Sequence, residues 1–158
     1  MRIGFASDHR GYDLKNKLID YLEAEGYEIE DCGSFSEEST DYPDYAFKLG
    51  DIVVKKEVDF GVAICGSGIG ISIACNKVKG IRCAKVSNVE EAIATRIDND
   101  SNIVAFGEKM PLETAKEIVT TFFNTPTSTE EKHVRRRNKI KEYEENSKWH
   151  LNSFYTLQ

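Results

Sequence analysis

The stretch FGVAICGSGIG, residues 60–70, decides the fold of this chain. Its first five residues form an apolar run that predicts a buried strand, and the residues from 71 onward predict a helix. A strand, closely spaced glycines and a helix are typical of anion sites in open α/β sheets, where backbone N–H groups turn towards the ligand. The spacing differs from the dinucleotide-binding GxGxxG pattern and from the P-loop. The stretch therefore predicts an anion cradle or, alternatively, a tight turn that packs the helix on the strand.

Outward from this stretch, apolar runs alternate with segments of helical periodicity along the chain. Strands are predicted over residues 2–7, 27–31, 60–64, 81–86 and 103–106, and helices over 14–25, 43–56, 71–79, 89–97, 112–123 and 130–145. Such alternation predicts an α/β fold in which a parallel sheet is covered by helices on both faces. Residues 1–145 form one predicted domain. Residues 146–158 show no clear period and are predicted to be an extension, either packed or loose.

Composition excludes several functional classes. The chain has 158 residues with 21 basic and 27 acidic side chains, for a net charge of −6, which disfavours a nucleic-acid binder. Its four cysteines form no C-x-x-C pair, so a structural zinc site is not expected. No apolar run is long enough to span a bilayer, and the first residues predict a strand rather than a signal peptide. We expect a cytoplasmic protein without membrane contact.

Four segments are candidates for the carboxyl edge of the sheet, where ligands of such folds bind. They are residues 7–11, 41–43, 65–70 and 98–100. Asp8 and His9 supply a carboxylate and an imidazole, although Asp8 could equally be a helix cap and His9 a solvated side chain. Cys65 would most often be a small buried hydrophobe. At the start of a glycine loop, however, N–H groups favour a thiolate, which could act as a general base.

The last predicted helix is strongly basic. Lys132 and Arg136 lie four residues apart and therefore share one face, where they could hold a phosphate. The alternative is a solvated basic face that balances an acidic protein. No aromatic residues are interleaved with these bases, which disfavours a nucleic-acid patch.

With these residues assembled, the chain resembles the ribose-5-phosphate isomerase B family, which includes galactose-6-phosphate and allose-6-phosphate isomerases. The resemblance covers residues 1–143. The motifs that carry it are SDHxG at 7–11, DYP at 41–43, ICGSGIGISIA at 64–74, NK at 76–77 and NDxN at 99–102.

The resemblance implies a Rossmann-like three-layer sandwich with a five-stranded parallel sheet and a C-terminal helix used in dimerisation. Family members are dimers or tetramers with sites across the dimer interface, and they need no metal or organic cofactor. The implied reaction is an intramolecular oxidoreduction that interconverts ribose 5-phosphate and ribulose 5-phosphate, as in the pentose phosphate pathway, through a cis-enediolate. Alternatives are an isomerase of allose 6-phosphate or galactose 6-phosphate, or a non-catalytic sugar-phosphate sensor.

The resemblance also implies roles for individual residues. Cys65 would be the base, because Ile71 stands where other members carry a glutamate base. Ser67 and Asp8 would assist proton movements, and Tyr42 and Asn99 would hold the sugar. N–H groups of the glycine loop would meet the enediolate oxygen; those residues are Gly66, Gly68, Ile69 and Gly70. Phosphate binding falls to His9 and to three cations, Lys109, Lys132 and Arg136.

The chain departs from the family pattern at two kinds of position. Asp98 stands where the family has a histidine thought to open the sugar ring, and an unperturbed carboxyl group titrates far below neutral pH. Lys109 and Lys132 stand where arginine is common, and lysine cannot form the two parallel hydrogen bonds that a guanidinium donates to phosphate. Arg135 or Arg137 could compensate. These departures keep a six-carbon sugar phosphate open as the substrate.

Overall fold

The protein is an alternating α/β sandwich in a computed structural model that describes the backbone of residues 1–155 and the side chains of residues 1–147. Five strands and six helices follow one another within the described residues. Their order is β1 (Arg2–Ser7), α1 (Tyr12–Ala24), β2 (Glu28–Asp31), α2 (Tyr42–Val54), β3 (Phe60–Cys65), α3 (Ile69–Cys75), β4 (Cys83–Lys85), α4 (Val89–Asn99), β5 (Ile103–Gly107), α5 (Leu112–Asn124) and α6 (Glu131–Tyr155).

All five strands are parallel and lie in the order β2-β1-β3-β5-β4. The predicted fold class is therefore confirmed. The strands β1, β3 and β5 occupy the centre of the sheet, so the loops that leave their carboxyl ends lie side by side. One of those loops is the glycine stretch that follows β3. Parallel sheets are covered on both faces because each crossover places a helix on one of them.

Side chains of the central strands alternate between two cores. Val62, Ile64 and Phe106 pack with α1, α4 and α5 on one face. The other face carries a row of alanines, Ala6, Ala63 and Ala105, which are direct neighbours across the three central strands. These small side chains let α2 and α3 pack close to the sheet. Cys65 points to this second face, towards the helix that follows the glycine loop.

An ion pair with a buried lysine ties the β2 end of the sheet to α1. The ammonium of Lys15 is fully buried and lies 2.7 Å from both carboxylate oxygens of Asp31. It also donates to the carbonyl oxygen of Ser34 at 2.8 Å. A buried charge is tolerated when its partners are complete, and this pair fixes the loop that leads towards α2.

The helix α6 differs from its prediction in length. Its backbone continues to Tyr155, ten residues beyond the predicted end at residue 145, in a run that contains neither proline nor glycine. Residues 131–147 of α6 contain no buried side chain. The division into a domain of residues 1–145 and an extension of 146–158 stays a prediction, and residues 156–158 lie outside the described part. Among the described helices, none has the length and apolar character that a membrane span requires.

Candidate active site

An open pocket of about 530 Å³ lies at the carboxyl edge of the three central strands. It is built from the loops after β1, β3 and β5 and from the start of α2. The residues that line it are Asp8, Arg10, Tyr42, Cys65, Gly66, Ser67, Ile69, Gly70 and Lys109. Eight of these nine were predicted as site residues from the sequence, and Arg10 was not.

The glycine loop holds the thiol of Cys65 at the floor of this pocket. Cys65 is the last residue of β3 and is 4% exposed. The backbone N–H of Gly68 donates to its Sγ at 3.2 Å. Gly68 reaches this position with a φ of +79°, and a Cβ atom there would lie 2.6 Å from the backbone of Phe106. Only glycine fits this conformation without strain, so the loop and the N–H contact to the thiol depend on it.

Ser67 in the loop and Tyr42 at the start of α2 also line the pocket. The hydroxyl of Ser67 accepts a hydrogen bond from the N–H of Ile69 at 3.1 Å, at the start of α3. The ring of Tyr42 lies so close to Gly70 that a Cβ atom there would be 2.7 Å from it. The aromatic ring therefore forms a wall of the pocket directly against the loop.

The loop after β1 brings Asp8 and His9 to the same edge. Asp8 is 5% exposed, and its Oδ1 accepts the N–H groups of Arg10 at 3.0 Å and Gly11 at 3.1 Å. The carboxylate thus holds the turn before α1 and lines the pocket, but the N-cap of α1 is Gly11, so Asp8 is not the helix cap of the alternative interpretation. The Nδ1 of His9 accepts the N–H of Thr40 at 3.2 Å. In the neutral ring the proton therefore lies on Nε2, which is left as a donor.

The loop after β5 supplies Lys109 and Glu108. Lys109 lines the pocket, as predicted from the sequence. Glu108 binds the guanidinium of Arg10 through Oε1, at 2.7 Å from Nη2 and 3.2 Å from Nε. Arg10 was missed because it occupies the variable position of the SDHxG motif, to which the pattern gives no role. The one indication in the sequence is that Arg10 is a cation close to Asp8, the predicted catalytic carboxylate.

Four predicted site residues lie elsewhere in the protomer. We call their location the α4–α6 corner, and it consists of Asp98, Asn99, Lys132, His133, Arg136 and Arg137. Asp98 and Asn99 end α4, which leads into the amino end of β5. The prediction that residues 98–100 lie at the carboxyl edge was therefore wrong, because a crossover helix runs back against the strands and its last residues return to the opposite edge.

Contacts within the corner join α4 to α6. Asp98 Oδ1 lies 3.6 Å from Nδ1 of His133, and the carbonyl oxygen of Asp98 accepts Nη1 of Arg137 at 3.4 Å. Arg137 also donates to the carbonyl oxygen of Ser128 at 2.8 Å. Arg135 is bound to Glu131 on its own helix. These two arginines thus have partners within the protomer, but so does Lys132, whose Nζ lies 3.4 Å from Oε2 of Glu130. Compensation for Lys109 or Lys132 by a neighbouring arginine stays a prediction.

Two of the other thiols have raised pKa values. Cys32 has its pKa raised to about 11, first by burial and then by the negative charges of Glu30 and Asp31. A hydrogen bond with Cys75 and burial raise the pKa of Cys83. Both side chains stay neutral near pH 7. Within the described residues, no group of three or more His, Cys, Asp or Glu side chains is arranged to hold a metal ion.

Known proteins share this fold and sequence pattern. The model of the family described as Ribose/Galactose Isomerase matches residues 3–140. Ribose-5-phosphate isomerase B of Escherichia coli is 45% identical over 119 residues, which cover 75% of this chain and 80% of that protein. Ribose-5-phosphate isomerase B of Clostridium thermocellum has a structure with a TM-score of 0.89 and 44% identity, covering 93% and 99% of the two chains. Type B ribose 5-phosphate isomerase of Trypanosoma cruzi gives 0.87 and 42%, with coverage of 92% and 99%.

Proposed function

Because the chain belongs to the ribose/galactose isomerase family, we propose that it interconverts ribose 5-phosphate and ribulose 5-phosphate. The observation that carries the proposal is the thiol of Cys65 beneath a glycine loop, with the N–H of Gly68 3.2 Å from Sγ. Relatives that share this sequence pattern are ribose-5-phosphate isomerases B. The pocket is large enough for a five-carbon sugar phosphate and places a carboxylate, a hydroxyl and a cation around the thiol.

The proposed chemistry is a proton transfer between neighbouring carbons. The thiolate of Cys65 removes the proton from C2 of the open-chain aldose, and the electron pair moves to form an enediolate with the former aldehyde carbon. Returning the proton to C1 gives the ketose, so C1 is reduced and C2 is oxidised within one molecule. Asp8 and Ser67 face the same pocket and would move the protons of the two hydroxyl groups.

Negative charge on the enediolate oxygen needs donors that are already in place. The glycine loop supplies backbone N–H groups at the pocket wall, and its conformation is fixed by the packing of Gly68 on Phe106. Donors fixed in this way stabilise a developing charge without having to reorganise during the reaction. Tyr42 forms the wall directly beside this loop and would hold the sugar. His9 and Lys109 flank this edge and would bind the phosphate.

A second copy of the chain would complete the site. Asp98, Asn99, Lys132 and Arg136 have proposed roles in binding and ring opening, yet they lie at the edge of the sheet opposite the pocket. The pocket adjoins an exposed apolar surface on α2 and α3 that includes Phe47, Val54, Ile69 and Ile73. Such a surface on an otherwise polar protein indicates a protein contact.

We therefore propose a homodimer in which the α4–α6 corner of one copy reaches the pocket of the other. Ile69 belongs to both the pocket and the apolar surface, so a partner covering that surface would stand at the pocket mouth. The exposed face of α6 is the element we assign to this contact. All four cysteines are free thiols, which fits a reducing compartment such as the cytoplasm.

A coupled assay with ribose 5-phosphate, allose 6-phosphate and galactose 6-phosphate tests the substrate. We expect turnover of ribose 5-phosphate and a loss of about a thousandfold in kcat for Cys65→Ala, because a positioned base is worth roughly that factor. Cys32→Ala is the matched control. Cys32 lies away from the pocket and keeps its proton because its pKa is about 11, so activity should be unchanged.

Two results would contradict the proposal in different ways. Equal turnover by Cys65→Ala and the unmodified protein would remove Cys65 as the base while leaving the reaction in place. No turnover of any of the three aldose phosphates would favour a sugar-phosphate sensor over an enzyme.

A further inference from the structure

The side chain of Arg10 lies across the glycine loop at the pocket wall. Its Nη2 and Nε bind Oε1 of Glu108 at 2.7 and 3.2 Å. Its Nη1 lies above Gly66, where a Cβ atom would be only 2.5 Å away. The guanidinium therefore occupies space that any side chain at position 66 would fill. Arg10 thus belongs to the loop architecture and is not merely a solvated surface cation.

Glu108, which binds Arg10, is itself hydrogen-bonded to the loop that carries Cys65. The backbone N–H of Glu108 donates to the carbonyl oxygens of Cys65 at 2.9 Å and of Gly66 at 3.3 Å. The side chain of Glu108 is 27% exposed, whereas that of Arg10 is 54% exposed. The carboxylate is therefore the fixed partner, and it orients a guanidinium that would otherwise sample many rotamers.

One face of the guanidinium is left for a ligand. In the described part of the chain, no acceptor is hydrogen-bonded to Nη1 of Arg10, because Glu108 engages only Nε and Nη2. Of the side chains that line the pocket, Arg10 and Lys109 are the cationic ones and Asp8 is the acidic one. The carboxylate of Glu108 balances the charge of Arg10, so an anion would be received by the open Nη1 donor and by Lys109 rather than by an excess of positive charge.

We propose that Arg10 binds the phosphate of the substrate together with Lys109, and that Glu108 holds the guanidinium of Arg10 in place. This inference rests on the proposed function, since it assigns a further ligand to the same substrate. Lysine is a point charge, whereas a guanidinium can donate two parallel hydrogen bonds to phosphate oxygens. Arg10 thereby supplies a bidentate donor to a pocket in which the other lining cation is a lysine. Because Glu108 orients the guanidinium before the ligand arrives, the entropic cost of binding is lower.

Calorimetric binding of inorganic phosphate and the KM for ribose 5-phosphate together test Arg10. For Arg10→Ala we expect both constants to rise about ten- to a hundredfold, because charge-assisted hydrogen bonds are lost, while kcat changes by less than about threefold. Arg10→Lys keeps the charge without the fork and should give an intermediate constant. Arg2→Ala is the matched control, because Arg2 forms the same kind of ion pair with Glu30 on the surface outside the pocket.

Phosphate and substrate constants that stay within about twofold in Arg10→Ala would overturn the assignment. A fall in kcat at constant KM would also overturn it, by placing Arg10 at the reacting carbons instead. Phosphate binding is measured without turnover. Failure of ribose 5-phosphate to react would therefore count against the proposed function, while weaker phosphate binding by Arg10→Ala would still support Arg10 as the phosphate ligand.

Discussion

The pocket at the carboxyl edge contains eight predicted site residues and the α4–α6 corner contains four, and the two regions are built differently. Pocket residues sit on short loops that leave the central strands, and Cys65 and Asp8 are 4% and 5% exposed. Corner residues sit at helix ends, with the side chain of Asp98 49% exposed and that of Lys132 54% exposed. The pocket is therefore shaped by the protomer's own packing, whereas the corner presents its groups outward, to solvent or to a partner.

This difference separates two kinds of mutational effect. Changes in the pocket should damage both the fold of the loop and the chemistry. Changes at the four predicted site residues of the corner should leave stability intact and act only on turnover, because their side chains are exposed. The following variants test that separation, beginning with the largest expected effect.

Gly68→Ala should have the largest effect on the pocket side. We expect about a thousandfold loss of kcat, because the N–H that meets Cys65 Sγ is displaced, and a loss of about 3–5 kcal/mol in the free energy of unfolding. Gly26→Ala is the control, since Gly26 has a φ of +93° but a Cβ atom added there would meet no other atom within 4 Å. It should cost only about 1–2 kcal/mol and leave activity unchanged. Equal unfolding free energies for the two variants, from urea titrations, would contradict the packing role of Phe106.

Lys132→Ala combined with Arg136→Ala tests the corner. We expect kcat/KM for ribose 5-phosphate to fall about a hundredfold, because two charge-assisted contacts to phosphate are removed. The urea midpoint should stay constant, since both side chains are exposed. Arg135→Ala is the control on the same helix, because its guanidinium is held by Glu131. If Arg135→Ala lowers kcat/KM as much as the double variant does, the assignment of Lys132 and Arg136 is wrong.

Asp98→His should have the smallest effect and the opposite sign. A histidine titrates near neutral pH and can both give and take a proton, so opening of the sugar ring should become faster. We expect a rise of up to about tenfold in kcat/KM for ribose 5-phosphate. Asp98→Asn keeps the size of the side chain but cannot transfer a proton, and it should lower kcat/KM. A large loss for Asp98→His would show that Asp98 has a role of its own, for which its approach to His133 is the first candidate.

Much of the pocket could be predicted from sequence because each of its segments directly follows a strand. The apolar runs of β1, β3 and β5 fix where those loops begin, and parallel strands place their ends at one edge. The edge on which Asp98 lies was predicted wrongly. The prediction considered only that Asp98 is near β5 in the sequence, whereas Asp98 precedes β5 and therefore lies at the amino end of that strand. Arg10 was missed since its role arises from contact with Glu108, which is 98 residues away. Spacing within one motif cannot reveal such a contact.

The α6 boundary illustrates the remaining limit of sequence patterns. Residues 146–155 have no amphipathic period, so nothing in the pattern favours a helix packed on the core. Propagating an existing helix costs less than starting one, and the run contains no residue that would stop it. A helix without a buried face in its described part gives no periodic signal, and its predicted end was therefore too early.

The most direct test of a shared site is to mix two defective proteins. Cys65→Ala lacks a working pocket, and the Lys132→Ala, Arg136→Ala double variant lacks a working corner. After unfolding and refolding together in equal amounts, half of the dimers should be mixed, and each should contain one site with both halves intact. We predict recovery of about a quarter of the unmodified activity. If mixed dimers form, as shown by differently tagged chains purifying together, and activity does not rise above that of the separate variants, the site is not shared between copies.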